Sequence, residues 1–130
     1  MADARRQQSI NVEGIAHGAP IPVASRVGNV IATSAISGRD PKTGKLAADA
    51  DGQARLAFEN LKTILAKGGM GLGDVVKITC FVTDDGFREQ LNKYWLECYP
   101  DAAKRPARHT IVSPLRGGVL LQIDALAVSG

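Results

Sequence analysis

The sequence predicts an α+β fold, a mixed β-sheet with two helices on one face, with elements in the order β-β-β-α-β-α-β-β. Three observations lead there. Two stretches, near residues 49–67 and 87–99, place apolar residues three and four apart, the period of an amphipathic helix. Around them lie short runs rich in Val, Ile and Thr, bounded by Gly, Pro and Asn, the signature of strands. The strands lead and the helices interleave, and both connections through a helix are long enough to join parallel neighbours.

Each element has a local cause. Residues 1–8 are polar and charged, and are expected to fray. Ser9–Val12 reads as a short strand that Glu13-Gly14 ends. Gly18-Ala19-Pro20-Ile21-Pro22 is an extended loop, because its two prolines bar both a helix and ladder donation. Val23–Val27 and Val30–Ser34 flank Gly28-Asn29, a two-residue link that signals a hairpin. Gly38–Gly44, with its Gly, Pro and Asp content, is a loop. Asp49 or Asp51 opens the first helix. Residues 54, 57, 58, 61, 64 and 65 form its apolar stripe, Lys67 complements its C-terminal dipole, and Gly68-Gly69 stop it. Val75–Val82 is apolar on both faces apart from Lys77 and its threonine, which suits an interior strand. Thr83–Gly86 turns the chain into a second helix, Phe87–Tyr99, with Phe87, Leu91, Trp95 and Cys98 on one stripe and Pro100 ending it. Ala107–Val112 and Val119–Val128 are the last strands, joined through the turn 114–118.

Composition narrows the class. At 130 residues the chain is expected to form one domain, 1–130. It is 45% apolar and 22% charged but only 5% aromatic, so the core is aliphatic. No apolar run approaches the ~20 residues of a membrane span, and no apolar segment follows the charges of the N-terminus as in a secretory signal. Net charge is +3, without a basic block or spare aromatics, which argues against a nucleic-acid partner. Cys80 and Cys98 each fall in an apolar periodic segment and read as buried thiols rather than a disulfide framework. His17 and His109 lack ligand spacing, so no metal site is expected. These features together point to the cytoplasm.

The sheet carries a further implication. Two helices cover one face, yet Val30–Ser34, Val75–Val82 and Val119–Val128 are apolar on both. A bare face of that extent exceeds the few hundred Å² that monomers usually expose, so it is expected to pack against other copies of the chain.

The most informative stretch for chemistry is Lys104-Arg105-Pro106-Ala107-Arg108-His109-Thr110-Ile111-Val112. Pro106 suits the entry to a strand, after which Arg108, Thr110 and Val112 share one face. An inward guanidinium there needs an anion, either a nearby Asp or a ligand carboxylate that it can grip with two parallel bonds.

With Gly28–Ser34, Gln53-Ala54-Arg55, Asn60-Leu61, Gly73–Lys77, Leu91-Asn92, Pro106-Ala107-Arg108 and Ile123–Val128 taken in order, residues 20–128 resemble the RidA/YjgF family of reactive-intermediate enamine/imine deaminases. Some of its members are described as translation inhibitors or endoribonucleases. The resemblance implies a chorismate-mutase-like fold and a homotrimer with sites in the clefts between subunits. It implies neither metal nor organic cofactor. It further implies that Arg108 binds the carboxylate of a 2-imino or 2-enamino acid. Ser34, Asn92 and Thr110 fall at the family's substrate-side positions.

Four positions depart from the pattern. Ile21 stands where the family often carries Tyr, Ala35 where it has Gly, Thr110 where it often has Cys, and Asp124 where its last-strand acid is usually Glu.

The chemistry follows from these residues. An imine hydrolyses when water adds to the C=N carbon and the carbinolamine expels ammonia. Arg108 would orient the substrate and Asp124, the one carboxylate of the final strand, would hold the water and take its proton. Asp124 could instead pair with Arg108 or Arg116 at a subunit boundary, and Ser34 and Asn92 could be satisfied turn and helix groups. The expected activity is hydrolytic deamination of 2-imino or 2-enamino acids, such as 2-aminoacrylate, to 2-oxo acids. The alternatives are a 2-oxo acid binding module without turnover and a dedicated pathway deaminase, such as one for 2-aminomuconate.

Overall fold

The structure, a computed structural model, describes residues 6–130. Its strands are β1 (Gln8–Ile10), β2 (Ala24–Val27), β3 (Val30–Thr33), β4 (Ile36–Ser37), β5 (Val75–Val82), β6 (Ala107–Val112) and β7 (Leu121–Val128). Its helices are α1 (Ala50–Lys67) and α2 (Arg88–Cys98). The strands form one mixed sheet in the order β1-β2-β3-β7-β5-β6, with β4 also paired to β7. All neighbours run antiparallel except β5 and β6. The α+β architecture with two helices therefore holds. The crossover through α2 joins parallel neighbours. That through α1 does not, because β7 inserts between β3 and β5.

Several boundaries differ from the sequence reading. Gln8, placed in the polar leader, pairs with Arg26 in β1, while residues 1–5 of that leader lie outside the described residues. The run expected at Val30–Ser34 stops at Thr33, and a two-residue strand too short to show a period, β4, follows and pairs Ile36 with Ile123 and Ser37 with Gln122. The last strand begins at Leu121 rather than Val119. The second helix is preceded by a 3-10 turn, Asp85–Phe87, which Asp84 caps by accepting from the Gly86 N–H at 2.7 Å.

Local signals explain the rest. The β2–β3 hairpin pairs Val27 with Val30, and Gly28 takes φ +58° at the first loop position, where a side chain would be strained. Asp49 caps α1 by accepting from the Gly52 N–H at 2.8 Å. Ala54, Ala57, Phe58, Leu61, Ile64 and Leu65 are all buried against the sheet. From the sheet they meet Ile31, Ile36, Ile78, Cys80, Val82, Leu121, Ile123, Ala125 and Ala127 in one core. Among the described residues, no helix is long and apolar enough to cross a membrane.

The opposite face of the sheet carries Gln122, Asp124, Leu126 and Val128 of β7, in register with Phe81, Thr79 and Lys77 of β5 and with Ala32 and Val30 of β3. Leu126 and Val128 are 40% and 37% exposed, and Val76, at the β5 bulge, is 51% exposed. The face without helices is thus apolar around a polar centre.

Two buried amides of α1 hold the loops. Gln53 Nε2 donates to the carbonyls of Ala47 and Gly118 at 3.0 and 3.1 Å, and its Oε1 accepts from the Leu120 N–H at 2.8 Å. Asn60 Nδ2 donates to the carbonyls of Ser37 and Arg39 at 3.2 and 2.8 Å. The chain at Gly38 comes so close to α1 that a Cβ there would lie 2.2 Å from the Gln53 Cα.

Candidate active site

Arg108 is the second residue of β6, an edge strand, and pairs with Ile78 on the face that the helices cover. It is half-buried, as is Thr110 on the same face. Its guanidinium lies over the Trp95 ring, 5.0 Å from the centroid, and its Nη2 donates to Asn92 Oδ1 at 2.7 Å. Asn92 and Trp95 come from one stripe of α2. Arg88 extends that stripe, donating from Nη2 to the Thr110 carbonyl at 3.3 Å and forming an ion pair with Asp85. Among the described residues no salt bridge engages Arg108. Burial disfavours its charge, and the neighbouring Arg88 adds repulsion. This half-buried cation is held by one neutral amide and an aromatic face, with no acidic partner among the described residues. A guanidinium carries five N–H donors in a planar fork, so enough remain beyond the Asn92 contact for two parallel bonds to a carboxylate.

Asp124 lies elsewhere. It pairs with Thr79 on the face without helices, two strands in from β6 and on the side away from Arg108. Burial raises its carboxyl above the usual carboxylate value, with Lys77 pulling the other way. A carboxylate tuned upward is better placed to take a proton near neutral pH. Cys80, between the two on the core side, is fully buried, and burial pushes its thiol up to about 12, so it is no nucleophile. Cys98 is half-buried rather than buried.

The other predicted positions form a third group. The Ser34 hydroxyl donates to the Pro22 carbonyl at 2.8 Å and its N–H to Val23 O at 2.9 Å, tying the proline loop to the end of β3. Ile21 projects from that loop, 49% exposed. Ala35, next to Ser34, lines a cleft of about 740 Å³ between the 14–18 loop, β4, the 39–44 loop and the 114–119 turn. Within one chain the predicted residues therefore occupy three places: Arg108, Asn92 and Thr110 at the β6–α2 edge, Ile21, Ser34 and Ala35 beside the cleft, and Asp124 on the open face. Sequence reasoning placed Trp95 in the apolar stripe and missed its position beneath Arg108. The spacing of residues 88, 92 and 95 was the available signal. Gln122, which lines the cleft, and Arg39 had no such signal, because the cleft walls come from separate loops.

Comparison with known proteins decides the family. The sequence profile described as endoribonuclease L-PSP matches residues 16–129.

The chain belongs to the endoribonuclease L-PSP family.

This is the RidA/YjgF family of the sequence resemblance. A 2-iminobutanoate/2-iminopropanoate deaminase from Salmonella typhimurium is 36% identical over 104 residues, 78% of this chain and 81% of that protein. The crystal structure of RidA from the Antarctic bacterium Psychrobacter sp. superposes with a TM-score of 0.86 at 30% identity, covering 94% of this chain and 99% of that one. That of E. coli TdcF with bound serine gives 0.82 at 31% identity, covering 95% and 100%. No group of three potential metal-ligating side chains is present among the described residues of this L-PSP chain.

Proposed function

We propose that this protein is a cytoplasmic hydrolytic deaminase that converts reactive 2-imino and 2-enamino acids to 2-oxo acids and ammonia. The observation that carries the reading is Arg108, a half-buried guanidinium without an acid partner among the described residues, seated on Trp95 and oriented by Asn92. The name of the Salmonella relative supports it. Arg108 grips the substrate carboxylate and fixes the C=N carbon, and Thr110 on the same face lies next along the strand. Water adds to that carbon and gives its proton to Asp124. Collapse of the carbinolamine, with that proton passed to nitrogen, releases ammonia and the 2-oxo acid.

Because Asp124 and Arg108 are on opposite sides of the sheet in one chain, the reading requires a second copy to bring its open face to the β6 edge. The apolar residues around Asp124 favour such packing, in a homotrimer with clefts between subunits. The test is to generate 2-aminoacrylate beside the protein and follow pyruvate release above the uncatalysed rate. Tight binding of 2-oxo acids with no acceleration would favour the binding-module alternative.

A further inference from the structure

The Arg108–Trp95 contact joins two elements, β6 and α2, and one residue is tied to both. Tyr99 follows the last turn of α2 and is 4% exposed. Its N–H donates to the Trp95 carbonyl at 2.8 Å. Its ring lies against the indole, with centroids 5.2 Å apart and planes at 52°, a tilted pair of the kind that aromatic quadrupoles favour. The Arg108 guanidinium, the Trp95 indole and the Tyr99 phenol therefore form one chain of contacts, at 5.0 and 5.2 Å.

Tyr99 is itself held at two more points. Its hydroxyl donates to the Leu72 carbonyl at 3.0 Å, in the 3-10 turn Leu72–Asp74 that leads into β5. Its carbonyl accepts from Arg105 Nε at 2.8 Å, and Arg105 Nη2 donates to the Pro100 carbonyl at 3.3 Å. Arg105 stands just ahead of Pro106 and β6, the strand of Arg108. Burial pushes the Tyr99 phenol up, so its hydroxyl stays a donor at neutral pH. One residue thus fixes the end of α2 against the approaches to β5 and β6.

We propose that Tyr99 is a positioning residue for the substrate carboxylate: it backs the Trp95 ring and so sets the plane in which the Arg108 fork meets its ligand. Asn92, an exposed residue, accepts from one nitrogen of that fork and leaves its plane to be set by the ring. Two parallel bonds to a carboxylate need the two groups coplanar. An indole free to tilt would carry the guanidinium with it and weaken the second bond first. The inference rests on the proposed function, in which Arg108 grips that carboxylate, and adds the device that aims the grip.

The test titrates the full chain with pyruvate and with pyruvamide, its neutral amide, by calorimetry and by the emission of Trp95, the one tryptophan of the chain. The parent should prefer pyruvate at least about tenfold, the worth of a charge-assisted contact that only the carboxylate makes. Tyr99→Leu should lower that preference about fivefold, the worth of a cation–π contact whose backing has gone. Tyr99→Phe keeps the ring, loses the Leu72 tie and should lower it about twofold; it decides the matter if the Leu variant fails to fold. With Arg108→Lys already in place, neither substitution should lower the preference further, because no fork remains to be aimed. A parent without the preference would overturn the grip of Arg108, and the proposed function with it. A parent with the preference would overturn this inference alone if folded Tyr99 variants kept it in full. An equal loss toward both ligands, or a loss of the same size with Arg108→Lys in place, would do the same, as the mark of a merely structural tyrosine.

Discussion

Replacing Arg108 with Lys keeps the charge at the β6 edge and removes the planar fork. Arg108 has five N–H donors, and one is committed to Asn92 at 2.7 Å. Enough remain for two parallel bonds to a carboxylate, whereas an ammonium presents a point charge. Losing one charge-assisted bond costs ~1.5–3 kcal/mol, or a fall in kcat/KM of ~10- to ~150-fold. The Trp95 platform contributes less to the difference, because an ammonium over the same ring retains ~0.5–1 kcal/mol of the cation–π attraction. The fold should be spared: Arg108 is half-exposed on an edge strand, and its one described side-chain hydrogen bond is to an exposed Asn. The assay is pyruvate release from 2-aminoacrylate formed in situ, corrected for spontaneous hydrolysis, beside melting curves of both proteins. A Lys variant that folds like the parent and turns over within about twofold of it, well inside the fall expected from one lost bond, would refute the carboxylate-anchor argument.

Three further outcomes are expected. Asp124→Asn should remove hydrolysis while 2-oxo acid affinity, measured calorimetrically, stays near the parent level. The raised carboxyl of Asp124 also has a sign: its charged form opposes folding above the unfolded value, and that opposition fades as pH falls through the folded value. The Asn variant should therefore melt higher than the parent at neutral pH, and the gap should close below ~pH 4; an unchanged gap across that range would show that Asp124 carries no such burden. Sedimentation equilibrium should give three times the 13.7 kDa chain mass, and Leu126→Asp, a charge set into the open face, should yield monomers; a monomeric parent would remove the shared-site argument. Gln53→Ala should lower stability to urea by ~3 kcal/mol or more, since it leaves the Leu120 N–H and the Ala47 and Gly118 carbonyls without their partner; a loss below ~1 kcal/mol would mean that the loops find other partners.

Sequence alone determined the parts of this protein that rest on short-range physics. The apolar period of α1 placed all six stripe residues in the core, because a helix of that pattern buries one face wherever it is put. Gly28-Asn29 set the hairpin, because only a turn with a positive φ at its first position closes two strands over two residues. Asp49 and Gly68-Gly69 marked the ends of α1 through the backbone groups that a helix leaves unmet. Pro106 followed by alternation put Arg108 and Thr110 on one face of a strand, and the ordered motifs carried the family.

Tertiary structure decided what lies far apart in the chain. β7 enters between β3 and β5, a choice set by long-range pairing that no local period encodes, and that insertion puts Asp124 on the face opposite Arg108. β4 is two residues long, too short to show a period, and exists because β7 offers it partners. Trp95 looked like any apolar helix residue until the β6 edge brought a guanidinium over its ring. The 740 Å³ cleft gathers Arg39, Arg116 and Gln122 from three separate segments, held by Gln53 and Asn60, polar residues of α1 whose burial makes sense only once the loops they hold have closed around them.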